Sequence, residues 1–194
     1  MPWLLALGPG QLAGGLAHKD SMGNGSVIRP GDVQRMSAGT GVRHSEHNHA
    51  SDQTTHFLQI WILPDVVGIP AGYEEKRFGD EEKRGRLRLI AAPGGAQGSV
   101  HIHQDVQVYA GLFDGPESAT VRLSPERHAW VHVARGTVRI NGVALAAGDA
   151  ARITGEAGVT LDGAAVEPLA ASTPPTPREE PGALPAVVPR RHPG

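Results

Sequence analysis

Apolar residues in this chain recur mostly at alternate positions, in short runs broken by Gly, Pro, Asn or Asp. In "GTVRINGVALAAGDAARI" (136–153), Val138 and Ile140 alternate with polar neighbours as far as Asn141-Gly142. That dipeptide favours a two-residue hairpin because both of its positions tolerate a positive φ. Gly148-Asp149 marks the next turn. "HFLQIWILP" (56–64) is β-branched and aromatic up to Pro64 and predicts a strand. "SVHIHQDVQVYAGLF" (99–113) and "HAWVHVARG" (128–136) predict two more. Many short strands separated by turn signals give an all-β fold, a barrel or a sandwich.

Two stretches share one template. "PGDVQRMSAGTGVRHSE" (30–46) aligns without gaps on "AGDAARITGEAGVTLDG" (147–163). Gly31, Asp32, Arg35, Gly41 and Val42 meet Gly148, Asp149, Arg152, Gly158 and Val159. Upstream, "GGLAH" (14–18) matches "RGTVR" (135–139), with a longer hairpin in the first copy. One duplication at this spacing implies two similar units rather than a solenoid, which needs several shorter repeats.

Composition fits that picture. The chain has 194 residues, 26 of them Gly and 16 Pro, so turns are plentiful and long helices are not expected. A net charge of −2 offers no surplus of Lys and Arg for phosphate, so direct nucleic-acid binding is not expected. There is no cysteine, which excludes disulfides and zinc–thiolate sites and fits a cytoplasmic location. "MPWLLALGPG" lacks a basic start and is broken by Gly8-Pro9-Gly10, so it is not expected to be a signal peptide. No run approaches the ~18 apolar residues of a membrane span. "EEKRFGDEEKRGRLR" (74–88) is expected to be a solvated linker or an exposed turn. The tail 171–194, rich in Pro, Ala and Arg, should be disordered because it has little apolar surface to bury.

The chemistry is concentrated in "RHSEHNH" (43–49), with three histidines and a glutamate. On a strand, His44, Glu46 and Asn48 share one face, and His47 and His49 point the other way. Imidazole and carboxylate at that spacing suit ferrous iron and related divalent ions, but a bound ion needs further ligands from another strand. The other reading is a polar strand end whose imidazoles bond to backbone. The second copy has Leu161 and Gly163 at the matching positions, so a metal site belongs to the first copy alone. His101 and His103 form another H-x-H, expected to be structural. His128 and His132 flank Trp130, where packing is the default. Gln59 and Trp61 share a face that lines either a pocket or a packed barrel.

Five stretches carry a resemblance: "HKDSMGN" (18–24), "PGDVQRMSAGTGVRHSE" (30–46), "LQIWILP" (58–64), "YEEKRF" (73–78) and "VHIHQDVQVYAG" (100–111). In these the chain resembles the pirin family, bicupins with two tandem β-barrels, from about Leu16 to Asp162. The resemblance implies a divalent metal, usually Fe(II), held in the N-terminal barrel by an H-x-H pair, a later His and a Glu; the last two fall on His44 and Glu46. It also implies a quercetin 2,3-dioxygenase-type reaction, in which a flavonol-like molecule is opened by O2 and Glu46 takes the hydroxyl proton. Other relatives are described as transcriptional cofactors, which implies a protein partner.

The chain departs from the family where the H-x-H pair belongs: Met1–Ala17 contain no histidine. The N-terminal part of the first barrel is therefore expected to be missing or replaced. Substitute ligands would come from His18, His47, His49 or a second chain. The expected organisation is a partial N-terminal cupin unit (1–68), an interdomain linker (69–90), a C-terminal cupin unit without metal ligands (91–170) and the tail (171–194). Three functions compete: a metal-dependent dioxygenase, a pirin-like binding or regulatory protein without turnover, and an inactive remnant whose open strand edges would aggregate.

Overall fold

A computed structural model of the protein describes residues 2–7, 14–50 and 52–165. Its first strands are β1 (Pro2–Leu7), β2 (Leu16–Asp20), β3 (Gly25–Ile28), β4 (Asp32–Ser37) and β5 (His44–Asn48). Then come β6 (Gly72–Arg77), the single-turn helix α1 (Asp80–Lys83), β7 (Leu87–Ala92), β8 (Val100–His101) and β9 (Val108–Gly111). The last are β10 (Ala119–Arg122), β11 (His128–Val133), β12 (Thr137–Ile140), β13 (Val143–Ala146), β14 (Ala150–Thr154) and β15 (Gly158–Ala165). The all-β expectation is met. The tail expected to be disordered lies outside the described residues.

The duplication is visible as a repeated strand pattern. β2, β5 and β3 form one sheet in the order β3-β2-β5, and β13-β12-β15 repeats it in a four-stranded sheet that β10 completes. The turns into β4 and β14 are equivalent. Gly31 and Gly148 both have φ of +91°, a value that favours glycine. The Asp32 amide donates to the Arg29 carbonyl at 2.9 Å, and the Asp149 amide donates to the Ala146 carbonyl at 2.9 Å. Each aspartate also accepts the backbone N–H three residues back, from Arg29 at 2.7 Å and from Ala146 at 2.9 Å. One local sequence, Gly-Asp, thus builds one turn twice.

The ladder corrects the upstream alignment by one residue. Asp20 pairs with His44, and Ile140 pairs with Leu161, the counterpart of His44. His18 therefore corresponds to Val138 and not to Arg139. A one-residue slip exchanges the faces of a strand, so His18 and Asp20 occupy the inward positions that Val138 and Ile140 fill in the second unit. All four are buried.

The predicted hairpin forms at Asn141 (φ +47°) and Gly142 (φ +84°), both left-handed as a type I′ turn requires. Behind it lies the core of the second unit: Val131, Val133, Val138, Ile140, Ile153, Val159 and Leu161 pack together from alternating positions of β11, β12, β14 and β15. A second cluster joins Phe78, Ile90, Ala91, Val100, Ile102, Val106 and Val108, with Val33 and Ile62 packed against it. It ties the β4–β6 ribbon to the rest. The backbone of β1 runs between β9 and β11, parallel to both.

Two expectations fail. Residues 56–64 do not form a strand. A strand is held by a neighbouring ladder, and among the described residues no strand pairs with this segment. Trp61 is 87% exposed and Leu63 84%. The charge-mixed stretch 74–88 is not a solvated linker either. It contains most of β6, which pairs antiparallel with β4, and then α1 and the start of β7. Its charges find partners within the stretch and on β4: Glu74 lies 3.0 Å from Lys76 and accepts from Arg35 at 3.3 Å, and Phe78 and Lys83 are buried. The 99–113 stretch is split into β8 and β9 by the turns between them.

Candidate functional site

β5 brings the predicted pair onto one face of a strand. Glu46 lies directly across from His18 in the ladder, and His44 across from Asp20. The His44 side chain is exposed at the strand end, while the Glu46 side chain retains 19% of its accessibility. Between them the buried His18 ring stacks on His44 with centroids 5.8 Å apart, and on its other side on Tyr73 at 5.2 Å. His18 Nδ1 stands 3.5 Å from Glu46 Oε1, and its Nε2 faces the Asp20 carboxylate at 3.6 Å.

β4 and β6 add residues that the sequence reading had not singled out. Gln34 Nε2 donates to Glu46 Oε1 at 3.3 Å and lies 3.4 Å from His18 Nδ1. Tyr73 donates its hydroxyl to Glu75 Oε2 at 2.6 Å and lies 2.9 Å from the Ser26 hydroxyl. Burial and the neighbouring Glu75 carboxylate push the Tyr73 phenol up to about 12. Asp20 holds the β2–β3 turn by accepting from the Met22 and Asn24 amides at 2.9 Å and from the Asn24 side chain at 2.8 Å. Burial works to raise the Asp20 carboxyl, but these hydrogen bonds outweigh it and hold the group below its ordinary value. Gln34 and Tyr73 join the site only through the β4–β6 pairing, a long-range contact with no local signature. Their one sequence signal is that both lie within the stretches that carry the family resemblance.

A groove of about 710 Å³ opens beside β5, lined by Leu16, Glu46, Asn48, Thr55 and Phe57 among others. Asn48 and Thr55 are joined by a 2.6 Å hydrogen bond at its end. His47 and His49, the other candidates in the motif, are exposed and alternate with Glu46 along the strand, and His47 also lines the groove.

The donors do not fit a bound divalent ion. Such an ion is ordinarily held by at least three protein ligands, as in the two-His-one-carboxylate arrangement. Among the described residues no group of three His, Asp or Glu side chains is placed to hold one. His18 lies beside Asp20, Tyr73, His44 and Glu46 but completes no such group.

In the second unit the matching positions are chemically silent. Leu161 is fully buried in the apolar core, and Gly163 has φ of +57° under the Arg139 guanidinium. His101 and His103 pair with each other, Nε2 to Nδ1, at 3.2 Å, and the His101 amide donates to Glu74 at 2.9 Å. His128, Trp130 and His132 share the outer face of β11, opposite the buried Ala129, Val131 and Val133. Gln59 and Trp61 are exposed and line no barrel interior. No helix among the described residues is long and apolar enough to cross a membrane.

Comparison with known proteins yields a consistent set. Residues 11–62 match the family model described as Pirin, and residues 89–167 match the model described as Quercetinase C-terminal cupin domain. The quercetin 2,3-dioxygenase of Escherichia coli K12 is 38% identical over 150 residues, which make up 77% of this chain and 64% of that protein. The crystal structure of YhhW from Escherichia coli superposes with a TM-score of 0.74 at 36% identity, covering 80% of this chain and 65% of that one. The nickel(II) complex of the bacterial pirin YhhW gives 0.73 at 35% identity, covering 80% and 66%. The chain thus spans slightly less than two thirds of the length of these relatives.

Proposed function

The chain belongs to the pirin family, and on that premise we propose that it is a flavonol-directed bicupin carrying half of a divalent-metal site. His44 and Glu46 are the two ligands it contributes. Glu46 carries the reading. Its carboxylate is partly shielded, inward-facing, steadied by Gln34 at 3.3 Å and His18 at 3.5 Å, and it borders the groove. A carboxylate so placed accepts the hydroxyl of a polyphenol entering the groove, and it is positioned to take that proton. Phe57 and Leu16 supply apolar contact for an aromatic ring. A quercetin 2,3-dioxygenase reaction, the activity in the name of the Escherichia coli relative, depends on ligands beyond the two offered here. Iron is the metal the family resemblance implies, and nickel is the metal in one related structure.

The second reading is a pirin-like binding protein without turnover. The described residues favour it to the extent that they assemble only two of the expected ligands. One experiment separates the two. The purified protein is loaded with Fe(II) anaerobically, its metal content is measured, and O2 uptake is followed with quercetin. At least half an equivalent of iron with uptake that disappears in Glu46→Ala supports the oxygenase. Less than a tenth of an equivalent, with quercetin still perturbing the protein's fluorescence, supports the binding protein. Neither iron nor quercetin binding would remove both readings.

A further inference from the structure

The face of β11 that points away from the core of the second unit gathers cations without acids. In the β11–β14 ladder His128 pairs with Thr154, Trp130 with Arg152 and His132 with Ala150. The alternate pairs, Ala129 with Ile153 and Val131 with Ala151, belong to the apolar core. Trp130, His132 and Arg152 therefore share the opposite face. Trp130 is 40% exposed there, and Arg152 beside it is exposed as well.

A segment of the first unit closes one end of this face. Ile62 packs against the cluster that contains Val108, the Gln104 side chain donates to the Leu63 carbonyl at 2.9 Å, and the Asp65 amide donates to the His103 carbonyl at 2.8 Å. So anchored, the segment brings His56 close to His132 and to Arg135, just beyond the end of β11. All three are half-buried. Burial, and then the proximity of Arg135 and His132, hold the His56 imidazole below its ordinary value. Among the described residues no carboxylate lies within ion-pair distance of His56, His132, Arg135 or Arg152. Like charges gathered in a half-buried place repel one another, and a bound anion removes that cost.

We propose that His56, His132 and Arg135 form a site for the carboxylate of a small aromatic acid, whose ring lies against Trp130. The guanidinium of Arg135 offers the planar fork that a carboxylate matches, and each imidazole, once protonated, offers a charged N–H. Trp130 stands two residues before His132 on the same face, ~7 Å along the strand. That separation suits an acid whose carboxylate is held off its ring by a short chain. The indole supplies the flat apolar surface on which such a ring packs. Arg152, its Cβ about 5 Å from that of Trp130 across the ladder, adds positive field and favours anions over neutral rings. None of these residues lines the groove beside Glu46, and the site needs no metal.

The test is isothermal titration calorimetry of the full chain with cinnamate, compared with its neutral amide, cinnamamide. The expected result is one cinnamate per chain, bound at least tenfold more tightly than the amide. Arg135→Gln and His132→Gln should each weaken cinnamate at least fivefold and leave the amide unchanged, and Trp130→Ala should weaken both ligands. Arg135→Lys, which keeps the charge and loses the fork, should fall between the parent and Arg135→Gln. Arg122→Gln, which removes an exposed cation from β10, should change nothing. Circular dichroism checks that the variants fold, and the comparison of acid with amide on the parent chain stands without them. Equal binding of acid and amide would overturn the cationic site. Acetate or inorganic phosphate binding as tightly as cinnamate would overturn the aromatic ligand. Cinnamate binding that survives both Arg135→Gln and His132→Gln would place the ligand elsewhere and overturn the assignment, as would the absence of any binding at millimolar cinnamate.

Discussion

His18 lies directly across the β2–β5 ladder from Glu46, with its Nδ1 3.5 Å from the carboxylate and its ring buried between His44 and Tyr73. The imidazole fills a core position of the first unit with a polar group. Removing it opens a cavity and deprives the Glu46 carboxylate of a neighbour. His18→Ala should cost about 2–3 kcal/mol. Urea denaturation checks this, and an unchanged midpoint would refute the claim that His18 supports the site.

Asp20 gives the acid limb of stability a specific contributor. Its folded pKa is depressed below the ordinary 3.8. Its contribution is therefore complete above that value and is lost as pH falls through the lower folded one. Asp20→Asn should be less stable than the parent at pH 6, and the gap should narrow as pH falls below about 3.8 and through the lower folded value, beneath which both side chains are uncharged. A gap independent of pH would show that the carboxylate's charge contributes nothing.

Tyr73 behaves oppositely. With its folded pKa pushed up to about 12, the stabilisation it provides is present below the unfolded value near 10 and is lost as pH rises from there through 12. The chain has two tyrosines, and burial also raises Tyr109. Spectrophotometric titration at 295 nm should thus show no phenol ionising at an ordinary pH while the fold persists. A normal transition lost in Tyr73→Phe would contradict the burial of Tyr73 against Glu75.

The twin turns allow a matched comparison. Gly31 and Gly148 share φ +91°, so alanine at either place is strained by about 1–2 kcal/mol. A Cβ at Gly148 meets nothing within 4 Å, but one at Gly31 would stand 2.9 Å from the Phe78 carbonyl oxygen. Gly31→Ala should therefore be the more destabilising of the two. Thermal unfolding of both variants decides it.

The features legible in the sequence were those fixed by neighbours in the chain. Asn141-Gly142 demanded its hairpin, and Gly31-Asp32 and Gly148-Asp149 announced equivalent turns. The period-two spacing of Val138 and Ile140 placed them inside. What the sequence hid depends on distant partners. Residues 56–64 have every local preference for a strand and, among the described residues, no ladder to join. The charges of 74–88 look solvated until Arg35 and the His101 amide arrive to meet Glu74. Gln34 and Tyr73 enter the candidate site for the same long-range reason, while His44 and Glu46 were visible because their spacing is a property of one strand.

Gly163 shows how far packing separates the two copies of the duplication. A Cβ there would fall 2.8 Å from the Arg139 guanidinium, which donates to Asp162 at 2.7 Å, and the glycine's φ of +57° disfavours any replacement. Placing an acid at that point would require Arg139 to be displaced and the backbone to rotate. Placing an imidazole at Leu161 would set it in hydrocarbon. The same turn and ladder thus carry a polar pair on β5 and exclude one from β15, so the template fixes the backbone while its neighbours decide which side chains it can bear.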